Sequence, residues 1–497
     1  MHKTFSTALL FLLSTVCWAA DTFSPTDNTL AIPLVQVGDA YYRDVKVTVG
    51  EVIAVRQGAA SGVHDRYIPA TNQLVIPKVF VNGMVYTNVT ISVGKVHCVD
   101  CLSETAKSYP LSRVASPSNH FITVPTLATG DLDGDGLDDV VVGGWNSDSD
   151  VSYILIFIQQ ADGTLVDMTS KWLNSNIYGG SHHIFIADFD GDGRNDVFLP
   201  GFGDGQKEYP RHSVVLWNSA GSFTRQDLPE LTMSHGACLD DVNSDGRPDV
   251  LVGGGIDSSV GGIYINNGNR SFTLNQTALR DVTANNFFST CAVAHEPNGN
   301  IVAIFGNTSN VENYRNNIVV FDSKLNVLSN IGLNRMDANR HNQDGSDLIN
   351  TVPIDVNGDG HTDFVTVYNM LGPNGISAFS GDLAVRKVLL WSSSGTYVPT
   401  ATLDNAFENM YYFSKTTIDD APAIFFSGSN NQATVYQLIN GRFLPYKSQR
   451  FTEMASKAGV PDPSQINFAI MCVIVYKNKD DLFMLQNING TWYTQKM

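Results

Sequence analysis

One nine-residue pattern, Asp-x-(Asp/Asn)-x-Asp-Gly-x-x-Asp, occurs four times in this chain and restricts its fold more than any other feature. The copies are Asp131-Leu-Asp-Gly-Asp-Gly-Leu-Asp-Asp139, Asp188-Phe-Asp-Gly-Asp-Gly-Arg-Asn-Asp196, Asp241-Val-Asn-Ser-Asp-Gly-Arg-Pro-Asp249 and Asp355-Val-Asn-Gly-Asp-Gly-His-Thr-Asp363. An apolar run such as Ile184-Phe-Ile-Ala precedes each copy, and another such as Val140-Val-Val-Gly-Gly follows it. Short apolar runs bounded by glycine and aspartate read as buried strands, so each acidic loop joins two strands. The loop starts are spaced by 57, 53 and 114 residues, and the last interval is twice the first. One unit without its marker must therefore lie between the third and fourth copies.

That unit reads as Cys291-Ala-Val-Ala-His-Glu-Pro-Asn-Gly-Asn before Ile301-Val-Ala-Ile-Phe-Gly, with Asn298-Gly299 standing in for Asp-Gly and Ala294 at the first ligand position. Two further eroded copies follow, Thr417-Ile-Asp-Asp-Ala-Pro and Tyr476-Lys-Asn-Lys-Asp-Asp, which makes seven units. A hairpin follows each loop, as in Val214-Val-Leu-Trp-Asn with Ala220-Gly-Ser-Phe. Four strands in about 54 residues is the size of a propeller blade. This pattern resembles the FG-GAP/VCBS repeat family, known from the integrin α-subunit head and from many bacterial surface proteins. The resemblance implies an all-β fold, a seven-bladed β-propeller over residues 121–497.

Carboxylates at positions 1, 3, 5 and 9 of a tight loop, with a main-chain carbonyl at 7, form a hard oxygen cage of the kind Ca²⁺ takes. The expected ligands are Asp131, Asp133, Asp135, Leu137 (carbonyl) and Asp139; Asp188, Asp190, Asp192, Arg194 (carbonyl) and Asp196; Asp241, Asn243, Asp245, Arg247 (carbonyl) and Asp249; and Asp355, Asn357, Asp359, His361 (carbonyl) and Asp363. Position 12 is Val142, Leu199, Val252 or Thr366 and strands flank the loops, so these are not EF-hands. About four Ca²⁺ are expected, in a structural role. Without them the carboxylates would repel one another.

Ahead of the propeller, residues 1–20 read as a secretory signal: His2 and Lys3, the apolar run Ala8–Val16, then Ala19 and Ala20. The segment from Phe23 to Gly50 recurs 44 residues later as Tyr67 to Gly94, with period-2 alternation in both copies, so 21–102 reads as a tandem β-hairpin module. The Ser/Pro-rich stretch 103–120 reads as a linker. The net charge of −18, from 49 acidic against 31 basic residues, argues against nucleic acid as a partner. No later run reaches the length needed to span a bilayer. The expected location is secreted, periplasmic or cell-surface.

Cys98-Val-Asp-Cys101 reads as a local disulfide, whereas Cys238, Cys291 and Cys472, each three residues before a loop position, read as a small apolar core site repeated by descent. His182 and His235 each stand six residues before a loop and read as packing at the start of an inner strand. The sequence carries no Gly-x-Ser-x-Gly elbow, His-Glu-x-x-His or phosphate-binding glycine loop. The expected function is a calcium-binding propeller serving as a binding or adhesion module for an extracellular glycan or protein; the rival is a secreted polysaccharide hydrolase or lyase. Trp145, Tyr178 and Tyr209 are candidate sugar-stacking aromatics. The polar loops Gly201–Arg211 and Asn334–Ser346, the second with Arg335, Arg340 and His341, are candidate ligand contacts.

Overall fold

In the computed structural model the apolar runs on either side of each acidic loop pair as antiparallel neighbours. They are Val124–Gly130 with Asp139–Asn146, Phe185–Ala187 with Asp196–Leu199, Ala237–Asp240 with Asp249–Val252, and Ser346–Ile354 with Asp363–Met370. The structure describes residues 22–24, 29–37, 40–56, 65–81, 84–98, 112–114, 124–146, 151–178, 181–202, 211–234, 236–254, 261–280, 288, 290–306, 316–333, 346–370, 384–392, 396–399, 410–418, 421–428, 432–439, 442–450, 473–478, 481–488 and 491–497. The signal segment, Cys101, Cys472, His235, Tyr209 and nearly all of both candidate ligand loops lie outside the described residues, as do the side chains of Cys98 and Trp145.

A hairpin extends each strand pair into a four-stranded antiparallel sheet, and seven such sheets follow one another among the described residues, the first widened by Ile177–Tyr178. The middle strands are apolar on both faces: Val140, Val141 and Val142 are all fully buried, as are Val250, Leu251 and Val252. A strand needs such a sequence only when other layers cover both of its faces. Here neighbouring sheets pack on one another. One cluster joins the first and second through Val141, Ile156, Val197 and Leu216, another the second and third through Phe198, Trp217, Val250 and Tyr264. Others join the third to the fourth and the fourth to the fifth. Val140, Phe157, Tyr476 and Trp492 pack the seventh sheet against the first. Four-stranded sheets packed face to face in this way are the blades of a β-propeller.

The seventh blade takes its outermost strand from earlier in the chain. Ser112–Arg113 pairs antiparallel with Thr494 and Tyr493, the Val114 amide donates to the Trp492 carbonyl at 2.9 Å, and Val114 is buried among first- and seventh-blade side chains. The expected linker 103–120 thus contains a blade strand, too short to leave a periodic signal.

The three blades without acidic loops are shortened there. In the loop-bearing blades Gly130 pairs with Asp139 and Asp240 with Asp249, enclosing eight residues. In the fourth blade His295 pairs with Ile301, enclosing five residues, and in the sixth and seventh Ile418 pairs with Ala421 and Asn478 with Asp481, so that only two residues separate each pair. This register corrects the assignment of Ala294 to the first ligand position: Glu296 stands there.

The chain divides into two compact units, Met1–Tyr109 with Gln437–Pro445, and Pro110–Tyr436 with Tyr446–Met497. In the first, Leu30 pairs with Val47 and Ile32 with Val45, and 44 residues on Leu74 pairs with Ile91 and Ile76 with Val89. The two hairpins join through Ala40–Arg56 and Met84–Cys98, and Thr29–Val37 also pairs in parallel with Asp65–Ile68, so the sheet returns on itself around these buried side chains.

Cys238 and Cys291 form a disulfide between the inner strands of the third and fourth blades, with Cα atoms 5.6 Å apart. Both stand in the buried cluster shared by these blades, as their reading as a core site expects, but joined as a disulfide rather than as separate thiols. By register they are not equivalent, because Cys238 lies two residues from the end of its strand and Cys291 four.

Candidate metal centres

Each acidic loop is folded by its own carboxylates. In the first loop Asp131 accepts from the amides of Gly134 at 2.6 Å and Gly136 at 2.9 Å, Asp133 from Asp135, and Asp135 from Leu137. The same contacts recur in the second loop, where Asp188 takes Gly191 and Gly193, Asp190 takes Asp192, and Asp192 takes Arg194. In the third, Asp241 takes Asp245 and Gly246, and in the fifth blade Asp355 takes Gly358 and Gly360. Such a path needs left-handed backbone at positions 4 and 6, where Gly134 and Gly136 have φ of 85° and 83°. The third loop places Ser244 at φ 59° instead.

Position 9 differs from the others. Asp139, Asp196, Asp249 and Asp363 are fully buried. One oxygen of each accepts from the amide at position 2: Leu132, Phe189, Val242 or Val356. The other accepts from an amide on the third strand of the blade: Gln159, Asn218, Asn266 or Trp391. Burial raises these carboxyls, to about 7 for Asp139 and Asp249 and about 6 for Asp196, although the amide donors pull the other way; neighbouring loop acids add to the rise. Asp363 is raised for the same reasons.

Oxygens of Asp131, Asp133 and Asp139 gather within 4.8 Å of one another, and so do those of Asp188, Asp190 and Asp196. Hard oxygen donors crowded at that spacing fit a metal ion. In the other two loops an asparagine holds position 3, and its amide nitrogen donates to position 5: Asn243 to Asp245 at 3.0 Å, Asn357 to Asp359 at 2.9 Å. In the second and third loops the position-7 side chains Arg194 and Arg247 also contact Asp192 and Asp245.

Sequence reasoning missed the contacts between blades. Asn195 Nδ2 donates to the Asp131 carbonyl at 2.7 Å, and Asn218 Nδ2 to the Leu132 carbonyl at 2.7 Å, so the second blade holds the first loop. Asn266 Nδ2 donates to the Phe189 carbonyl at 2.8 Å, holding the second loop from the third blade. Glu296, at the first position of the shortened fourth loop, accepts from Thr362 and contacts His361 Nδ1 at 2.6 Å in the fifth-blade loop. The available signal was the recurrence of Asn218 and Asn266 in the third strands of successive blades. His182 lies edge-on to Phe202 with ring centroids 4.0 Å apart, and its carbonyl accepts from Thr126 of the first blade at 2.9 Å. Tyr178, a candidate sugar platform, is instead buried between the first two blades.

A series of four-stranded sheets, with acidic turns between the first two strands of several of them, defines a repeat-loop β-propeller. The FG-GAP-like repeat profile matches residues 131–199, which span the first two loops. Two solved structures are similar to it at 12% identity. The crystal structure of BBS1N in complex with ARL6DN, soaked with mercury, aligns with a TM-score of 0.32 over 64% of this chain and 91% of that one. The structure of the Dos1 propeller aligns with a TM-score of 0.38 over 74% of this chain and 77% of that one. No curated protein matches the chain.

Proposed function

We propose that this protein is an exported, calcium-stabilised propeller of seven blades that presents loops to an extracellular glycan or protein. The carrying observation is the common construction of the four loops: the amides that orient each carboxylate, and the buried position-9 aspartate that ties the loop to the third strand of its blade. A loop so prepared presents oxygen donors at little cost in ordering. The proposed ligands in each of the four acidic loops are the side chains at positions 1, 3, 5 and 9 with the carbonyl at 7. The signal-like residues 1–20 support export, and so does the Cys238–Cys291 disulfide, since such bonds persist in oxidising compartments. No helix among the described residues is long and apolar enough to cross a membrane.

Two measurements test the proposal. Metal analysis of the purified protein should find about four equivalents of calcium, with melting lowered by EDTA, because a ligand that binds only the folded state stabilises it. Absence of calcium together with indifference to chelator would refute the metal assignment. A glycan and matrix-protein array should then show binding without turnover; depolymerisation of a bound polysaccharide would overturn the binding-module reading.

A further inference from the structure

The first and second loops carry the same four aspartates, yet their electrostatic surroundings differ. The hairpin of the third blade turns at Asn269 and Arg270, both left-handed with φ of 52° and 60°, between Asn266 and Phe272. That turn carries Arg270 to the second loop, where its Nε donates to Asp190 Oδ2 at 2.8 Å. The guanidinium also sits 5.4 Å from the ring centroid of the buried Trp217, a cation–π contact that helps hold it there. Asp190 offers two oxygens: Oδ1 accepts from the Asp192 amide, and Oδ2 is the one Arg270 takes. In the first loop Asp133 Oδ1 likewise accepts from the Asp135 amide, but no Lys or Arg among the described residues pairs with Asp131, Asp133 or Asp135. The second-blade hairpin that corresponds to the Arg270 turn carries Ala220 and Gly221, both left-handed, and so brings no charge to the first loop. Among the described residues, Arg270–Asp190 is the only pair that joins a motif carboxylate to a Lys or Arg of another blade.

We propose that Arg270 is a resident counter-cation of the second loop, one that competes with the metal for Asp190, so that the first loop fills at lower calcium than the second. This rests on the reading that the loops hold calcium. A guanidinium beside a carboxylate satisfies part of the charge that a divalent cation would otherwise meet, and entry of the cation must displace or weaken that pair. The Arg270 side chain is 40% exposed and Asp190 8%, so the pair is partly screened, and its effect is one of tuning rather than exclusion. The second loop then responds to changes in calcium over a range where the first stays full.

Calorimetric titration of metal-stripped full-length protein with calcium tests this. Arg270→Gln should tighten one class of site by about fivefold, the scale of a partly exposed ion pair. Arg270→Lys, which keeps the charge, should remain closer to wild type. In an Asp190→Asn background, Arg270→Gln should have no effect, which assigns the change to the second loop. Arg270→Gln and Arg270→Lys should melt within a degree or two of wild type in EDTA, as expected of changes at a side chain that is 40% exposed. Unchanged or weakened calcium binding in Arg270→Gln would overturn the inference, the second result making Arg270 a positioning residue for Asp190. Failure of the wild-type protein to bind calcium would instead refute the parent reading, a result the titration separates from the others.

Discussion

Asp133 and Asp139 belong to one loop but hold different things. Asp133 is exposed and accepts from one neighbouring amide, whereas Asp139 is buried and satisfies amides on two separate segments. Asp139→Ala is expected to cost about 2–4 kcal/mol even in EDTA, because two buried N–H groups lose their acceptor. Asp133→Ala should be nearly neutral in EDTA and lose only the added stability that calcium confers, and urea unfolding with and without chelator separates the two. Spacing made both legible as ligands. The bracing role of position 9 was not legible, because its partner Gln159 comes from a strand whose register the sequence does not state. The same burial makes the metal-free protein sensitive to pH. Asp139, Asp196 and Asp249 have folded-state values above the ordinary 3.8, so the folded state holds their protons more tightly than the unfolded chain. Their contribution is therefore greatest at low pH and is lost as pH rises through about 6 to 7. In EDTA the melting temperature should fall between about pH 5 and pH 8; excess calcium, which needs ionised carboxylates, should flatten or reverse that slope.

Between strands, the same repeat appears in long and short forms. Strand, loop and hairpin order were readable because apolar runs and glycine turns recur at a fixed interval, and the strands form where those runs stand. The eroded units misled at the residue level. Their loops have lost residues rather than exchanged them, so sliding the motif by one period placed Ala294 where the pairing register places Glu296. The disulfide was hidden for a related reason: two inner strands approach each other with a stagger that no single-sequence pattern encodes. It closes a segment with a sequence separation of 53 residues. Replacing Cys238 and Cys291 together by alanine should lower stability by about 2–4 kcal/mol. The urea midpoint should show it, and an unchanged midpoint would mean that packing between the third and fourth blades suffices alone.

For the whole chain, the period change from 44 to about 54 residues revealed two kinds of repeat, but not where the second begins, since two residues, Ser112 and Arg113, complete a blade from within a Ser/Pro-rich stretch. A protein starting at Pro110 should therefore fold as a stable propeller, and one starting at residue 121 should melt at lower temperature for want of that strand and of the buried Val114. Equal melting of the two would show the strand to be dispensable. The antiparallel register also puts residue 112 beside Thr494, three residues from Met497. A load applied between residues 110 and 497 would thus meet the pairs of Ser112 and Arg113 one after the other, as a zipper is opened from its end. In an optical trap the seventh blade would lose this outer strand first, under small force, while the side chains that pack that blade on the first would still hold.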